Sequence, residues 1–291
     1  MNTRILTIAG GLLLIGLQAC KEIGPAIDFS VLRASDTSYM ETPQAATPKV
    51  VLVEEATGVQ CVNCPDAALL LKNYEASNPG KIVVVALHAG SQTTPINLPD
   101  AKSKYDFRSS DVLDLINSYF SETPPKPAAA FDRVKWDNSI FSTNRSAWTG
   151  YINQRIALPS SVNVSISSKF QAENRQAIIK VKISYTQPVT KKQTLNVWLM
   201  EDGIVDVQEF PTYVDTAYTF NHVMRQFLTP VIGASLFDNL ATKAAGQAYE
   251  RTFIVPINNA WNVDNLKVVA FVNNNEQDDK SVLQVSEQSV K

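Results

Sequence analysis

The sequence predicts an α/β unit with a parallel sheet, followed by an all-β antiparallel sandwich of immunoglobulin-like type. Three observations carry this. Two apolar runs, residues 50–53 (Val-Val-Leu-Val) and 82–87 (Ile-Val-Val-Val-Ala-Leu), flank a stretch of good helix formers, the pattern of a βαβ unit buried on both faces. Past residue 159 the pattern changes to period-two alternation, as in Val162-x-Val164-x-Ile166 and Ile179-x-Val181-x-Ile183-x-Tyr185. Pro159-Ser160-Ser161 separates the two regimes.

The chain begins with Arg4 and an apolar run over residues 5–17, too short to span a bilayer and typical of a secretory signal. The run closes on Leu17-Gln18-Ala19-Cys20. A plain cleavage site needs no cysteine, and Leu, Ala and Cys at −3, −1 and +1 look like a bacterial lipobox. Residues 1–19 are therefore the expected signal and Cys20 the expected lipidation site. A triacylated cysteine supplies the more than one acyl chain that stable anchoring requires. Residues 20–48 are polar and broken by Pro25, Pro43 and Pro48, which reads as a tether, although Ile27, Phe29 and Val31 alternate as an extended strand does. No later stretch has 18 continuous apolar residues, so no second membrane segment is expected. With 26 basic against 28 acidic residues and a net charge of −2, there is no support for nucleic-acid binding, which needs a basic face.

The first folded unit is expected over residues 49–159. A strand at 49–55 leads through Thr57-Gly58 into Cys61-Val62-Asn63-Cys64-Pro65. Residues 67–74 form a helix with Pro65 and Asp66 in its first turn, where both are favoured, and Asn78-Pro79-Gly80 ends it. The strand at 82–87 follows, then loop-like residues 89–108. A helix capped by Ser109 or Ser110 runs to about Phe120, Thr123-Pro124-Pro125-Lys126-Pro127 breaks it, and a strand (128–134) and a helix (142–158) complete the unit. The second unit, residues 160–291, is expected to hold strands near 162–166, 179–185, 195–200, 218–227, 249–255, 266–272 and 282–286. Asp202-Gly203 reads as a hairpin turn and residues 239–246 as a short helical or loop insertion.

Of three cysteines, Cys61 and Cys64 remain as an isolated pair once Cys20 is lipidated. A helix N-terminus presents unpaired N–H groups and positive partial charge, which stabilise a thiolate. The spacing lets the second sulfur close onto the first. Cys61 is then the partly exposed nucleophile and Cys64 the deeper resolving thiol. Alternatively the pair is a static disulfide, which persists outside the cytosol. The loop it closes is tiny, so its entropic stabilisation is small. Structural zinc normally draws four ligands, and one cysteine pair with two histidines does not supply them.

Strand, C-x-x-C and helix together resemble the thioredoxin-like superfamily over residues 49–157. The resemblance implies a buried acid six residues before the nucleophile, the position of Glu55, which serves proton transfer. It also implies a cis-proline ahead of a later strand, contacting substrate backbone. Pro127 fits best, with Pro124 and Pro125 as rivals. Gln60 stands where members carry tryptophan, and Val62-Asn63 replaces Gly-Pro, so the direction of electron flow is not legible.

Over nearly the whole chain there is a narrower likeness. The lipobox, Glu-x-x-Thr-Gly before Cys-x-Asn-Cys-Pro, Pro-x-x-x-Phe-Asp-Arg (127–133), Asn221-His222-Val223-Met224-Arg225 and Val282-Leu283-Gln284 resemble, in order, the "outer membrane protein 28" lipoproteins of Bacteroidetes. That resemblance implies an outer-membrane location, periplasmic or surface-facing, and partners among envelope proteins.

His88, at the end of the second strand, falls on the carboxyl side of the sheet with the cysteines. Its expected role is an ordinary hydrogen-bonded or exposed histidine, the alternative being a thiolate or soft-metal partner. His222 and Arg225 read as turn, strand or interdomain contacts, and Asp278 and Asp279 as a solvated loop. No hydrolase triad, phosphate loop or dinucleotide fingerprint is visible, and no cofactor or metal is expected. Two functions follow: a lipid-anchored thiol–disulfide exchange protein acting on or binding protein clients, with Cys61, Cys64, Glu55 and Pro127 at its site, or a non-catalytic adhesion or assembly lipoprotein with a structural disulfide.

Overall fold

The computed structural model describes residues 32–291. The expected signal, the Cys20 lipidation site and the alternation of Ile27, Phe29 and Val31 lie outside the described residues. In chain order the elements are β1 (Arg33–Met40), β2 (Val51–Thr57), α1 (Cys64–Ser77), β3 (Ile82–His88), a small pair β4 (Asn97–Leu98) and β5 (Ala101–Lys102), and α2 (Ser110–Asp114), which continues as a π-helical turn at Leu115–Tyr119. Then come β6 (Ala128–Phe131), β7 (Phe141–Ser142), α3 (Trp148–Ile156), β8 (Val162–Gln171), β9 (Gln176–Tyr185), β10 (Gln193–Glu201), β11 (Ile204–Glu209), β12 (Val214–Phe220), β13 (Val223–Phe227), β14 (Ala234–Leu236), β15 (Gln247–Pro256), β16 (Leu266–Asn274) and β17 (Val282–Ser289).

β2 and β3 pair in parallel from Val51↔Ile82 to Thr57↔His88, and every residue of both strands is buried. That double burial is why both read as continuous apolar runs. Val51 and Val53 face Ala67 and Leu71 of α1 and Trp148 and Ile152 of α3. Leu52 and Ala56 face the opposite core, with Leu115, Phe120, Trp198 and Phe271. β6 runs antiparallel to β2, from Val53↔Phe131 to Ala56↔Ala128.

The expected boundary at 159/160 is crossed by a single sheet, ordered β17-β16-β10-β13-β3-β2-β6-β7. The join is a parallel contact, Val223↔Ala86, with Ala86 N–H donating to the His222 carbonyl at 2.8 Å. A second sheet, β1-β15-β9-β8, shares a core with the first: Ile179, Val181, Ile183 and Phe253 pack with Val197, Leu199, Val268 and Ala270. The architecture is mostly β, in several sheets.

Three local expectations change. The stretch read as one strand at 218–227 breaks at His222, whose φ is +59°, into β12 and β13, which join different sheets. Asp202-Gly203 is a corner and not a hairpin: Gly203 has φ +70°, but β10 pairs with β13, β14 and β16 while β11 pairs with β12. Within the segment read as a tether, β1 forms an antiparallel ladder with β15 from Arg33↔Ile254 to Met40↔Gln247. It shows no apolar alternation because it is an exposed edge strand. Backbone pairing and the two-pronged Arg251–Asp36 contact (2.6 and 2.9 Å) hold it.

Candidate functional site

Cys61 and Cys64 form a disulfide at the N-terminal end of α1, with Cα atoms 5.3 Å apart. Pro65 and Asp66 stand in the first turn. Cys61 N–H donates to the Gly58 carbonyl and Cys64 N–H to the Cys61 carbonyl, both at 3.0 Å. The loop is pinned from one side by residues 89–93: Gln60 N–H donates to the Gln92 carbonyl at 3.0 Å. A Cβ on Gly58 would lie 2.3 Å from that carbonyl oxygen, so only glycine permits the approach.

The expected exposure of Cys61 is not found. Cys61 is 1% exposed and Cys64 2%. The cover is the hairpin of β11 and β12. Gln208 Nε2 donates to the Cys61 carbonyl at 3.1 Å, and Glu209 N–H donates to the Val59 carbonyl at 2.9 Å. Val59, Phe107, Ile204, Val207 and Phe220 close an apolar cluster beside it. The hairpin is anchored by buried Asp206, whose carboxylate accepts from the backbone N–H groups of Lys104 and Tyr105. Sequence reasoning missed Asp206, Gln208 and Tyr218 because β11 went unrecognised and 89–108 read as plain loop. The available signal was the Pro211-Thr212-Tyr213 break between two short strand-like runs.

Glu55, on β2, is 3% exposed. It faces the same side of the sheet as Val51 and Val53, since alternate strand residues share a face. Among the described residues its Oε1 has no hydrogen-bond partner, and burial pushes its carboxyl up to about 8. His88, opposite Thr57 in the ladder, is not the ordinary hydrogen-bonded or exposed histidine expected. It is buried, packs on Phe107 and Phe220, and among the described residues neither ring nitrogen makes an ordinary hydrogen bond. Burial, with Lys126 and Arg225 adding to it, pulls its pKa down to about 3, so the ring is neutral. Of the three candidate prolines, Pro127 follows a cis peptide bond. It directly precedes Ala128, which pairs with Ala56, at the same end of β2 as the cysteine loop.

The structure brings Glu55, Cys64 and His88 together around a cavity of about 30 Å³, closed by Gln208, Tyr218 and Phe220. Next to it lies a larger cleft of about 360 Å³ between α1 and the hairpin, with Glu55 and His222 in its wall. Pro65, Ala68, Tyr218 and Asn221 line both. His222 and Arg225 serve contacts: His222 N–H donates to Asp202 at 2.7 Å, and Arg225 pairs with Glu201 at 2.8 Å. Asp278 and Asp279 lie outside this site, and Asp279 pairs with Lys191. No group of three or more potential metal ligands occurs among the described residues. No described helix is long and apolar enough to cross a membrane.

Comparison with known proteins gives three findings. The family model "Outer membrane protein Omp28" matches residues 115–291. No curated protein sequence matches the chain. Among solved structures, HBP35 of Porphyromonas gingivalis is similar with a TM-score of 0.65 at 14% identity, over 85% of this chain and 77% of its own. A protein of Agrobacterium tumefaciens is similar with a TM-score of 0.52 at 13% identity, over 84% of this chain and 97% of its own. At such identities the likeness is one of fold.

Proposed function

The chain belongs to the Omp28 family of outer membrane proteins, and from that premise we propose that it is a lipid-anchored envelope protein with a thioredoxin-like thiol–disulfide exchange site. In this reading residues 49–159 form the thioredoxin-like unit and 160–291 an immunoglobulin-like sandwich, with Cys20 carrying the lipid. Cys61 and Cys64 are the redox pair, Glu55 moves protons, and Pro127 borders the pair. The observation that carries the reading is Glu55. A disulfide that only staples a helix start has no use for a buried carboxyl without a partner, which costs stability. A carboxyl that stays protonated beside Cys64 has a use: it supplies the proton a departing thiolate takes up.

The second reading, a structural disulfide in a binding or assembly protein, is favoured by the burial of both sulfurs. The reduction potential separates the two. Equilibration in glutathione buffers is expected to give a value between about −270 and −120 mV, the span of known exchange proteins. A value below about −300 mV, with no exchange onto a disulfide peptide, overturns the redox reading.

A further inference from the structure

The two sides of the disulfide differ in access. Over Cys61, the carbonyls of Val59 and Cys61 are occupied by Glu209 N–H and Gln208 Nε2 of the chain's own hairpin. An extended client strand laid across the cysteine loop finds those acceptors taken. Cys64 instead lines the small cavity, which shares Glu55, Pro65, Ala68, Tyr218 and Asn221 with the cleft between α1 and the hairpin, and that cleft carries exposed Asp66, Leu69 and Lys72 on its helix side. We propose that the substrate is a low-molecular-weight thiol that enters through this cleft and attacks Cys64. The proposal rests on the exchange reading above and names its substrate class.

Size supports it. About 360 Å³ lies at the low end of small-molecule pockets. The inner chamber, about 30 Å³, exceeds the roughly 10–15 Å³ that a single water needs, room for one small group such as a sulfur. Cys64 lines that chamber and Cys61 does not. The mouth carries both signs of charge, in Asp66 and Lys72, which suits a zwitterionic amino-acid thiol.

The chemistry balances without another reactant. A thiolate R–S⁻ forms a bond to Cys64 Sγ as the Cys61–Cys64 bond breaks, and the electron pair leaves on Cys61 Sγ. A second thiolate attacks the R sulfur of the mixed disulfide, releasing R–S–S–R and the Cys64 thiolate. Two thiols are oxidised to one disulfide, the protein disulfide is reduced to a dithiol, and the two thiol protons end on Cys61 and Cys64. Glu55, in the chamber wall, hands its proton to the departing Cys64 sulfur and regains one from the incoming thiol.

The test mixes the full chain with limiting free cysteine, traps the first mixed disulfide with an early iodoacetamide quench and reads it by peptide mass analysis. The expected product carries cysteine on Cys64 and a carbamidomethyl group on Cys61, and the reverse labelling overturns the proposal. Ala68→Phe, with Ala68→Leu as the milder variant, narrows the wall shared by both chambers. It is expected to slow opening by cysteine about tenfold or more with an unchanged melting transition. Val207→Ala, which loosens the hairpin at a residue lining neither chamber, is expected to change that rate by less than about twofold. If the Ala68 variants react like the parent, or if Val207→Ala accelerates opening strongly, the route runs under the hairpin. The cleft proposal then fails while the exchange reading stands. If neither cysteine nor dithiothreitol opens the disulfide of the folded chain, both fail.

Discussion

Glu54 and Glu55 are neighbours on one strand, both buried, and they live in opposite chemical worlds. Glu54 faces the core shared with the C-terminal half. Arg133 grips it with two hydrogen bonds, at 2.9 and 2.7 Å, and the guanidinium sits among Tyr119, Phe120, Trp198 and Phe271 at 4.7–5.6 Å. Glu55 faces the helices and the disulfide, and its Oε1 has no partner among the described residues. The strand period of two puts them on different faces. The comparison teaches that one carboxylate is a structural tie while the other carries its burial without such a tie. Burial cost is offset by a partner in the first case and left standing in the second.

The largest expected effect breaks the satisfied side. Arg133→Ala strands Glu54 in the core and should cost about 3–5 kcal/mol in denaturant unfolding. The double variant Glu54→Leu/Arg133→Met should recover most of that loss, because an apolar pair of similar volume avoids both desolvation penalties. If the single variant unfolds at the parent's midpoint, Glu54 is not the tie described here.

The orphan side is sharpened by pH. Glu55 goes from an ordinary value of 4.5 to about 8 on folding, so between those values the folded state binds the extra proton. Its contribution to stability is complete below the unfolded value and is lost as pH rises toward 8, at about 1.4 kcal/mol per unit. Glu55→Gln should flatten this decline while leaving Arg133-dependent stability intact. A parent that shows no decline between pH 6.5 and 8 in thermal melts removes the premise that Glu55 is a partnerless buried acid.

An effect of similar size and opposite sign comes from His88. Its pKa drops from 6.5 to about 3 on folding, so the unfolded chain binds the extra proton there, and stability rises with pH across that window. From pH 4.5 to 6.5 the Glu55 and His88 slopes oppose each other and the profile should be nearly flat. His88→Phe, set among Phe107 and Phe220, should remove the rise at low pH. Below pH 6.5 it should expose the Glu55 decline. Melting temperatures of the two variants across pH 3–8 check both signs.

The βαβ unit was legible because double burial writes itself as unbroken apolar runs, and β8, β9, β15 and β16 were legible because their alternation is regular. Asn78 and Gly80 marked the end of α1 through local chemistry alone. β1 was not legible, since an edge strand made of Arg33, Ser35, Asp36 and Thr37 carries no hydrophobic signature. Nor was the break at His222: apolar residues continue from Tyr218 and Phe220 to Val223 with one shift in spacing, where a positive φ divides them. At the site, the C-x-x-C pair, Glu55 and Pro127 were candidates from spacing and resemblance. The cover over Cys61 was invisible because Gln208 and Glu209 lie about 150 residues away in sequence and make contact only through the fold.

By itself the sequence determined the strand–cysteines–helix order, since apolar runs, turn residues and helix-start chemistry act within a few residues of one another. It also determined that the two cysteines other than Cys20 stand close enough to pair. Tertiary structure alone decided that β13 would join β3 and carry one sheet through both halves. It also decided that the hairpin of β11 and β12 would close over Cys61 and that Cys64 would line a small cavity next to a cleft. These depend on contacts between segments far apart in the chain, where packing and desolvation act and local preference carries no information.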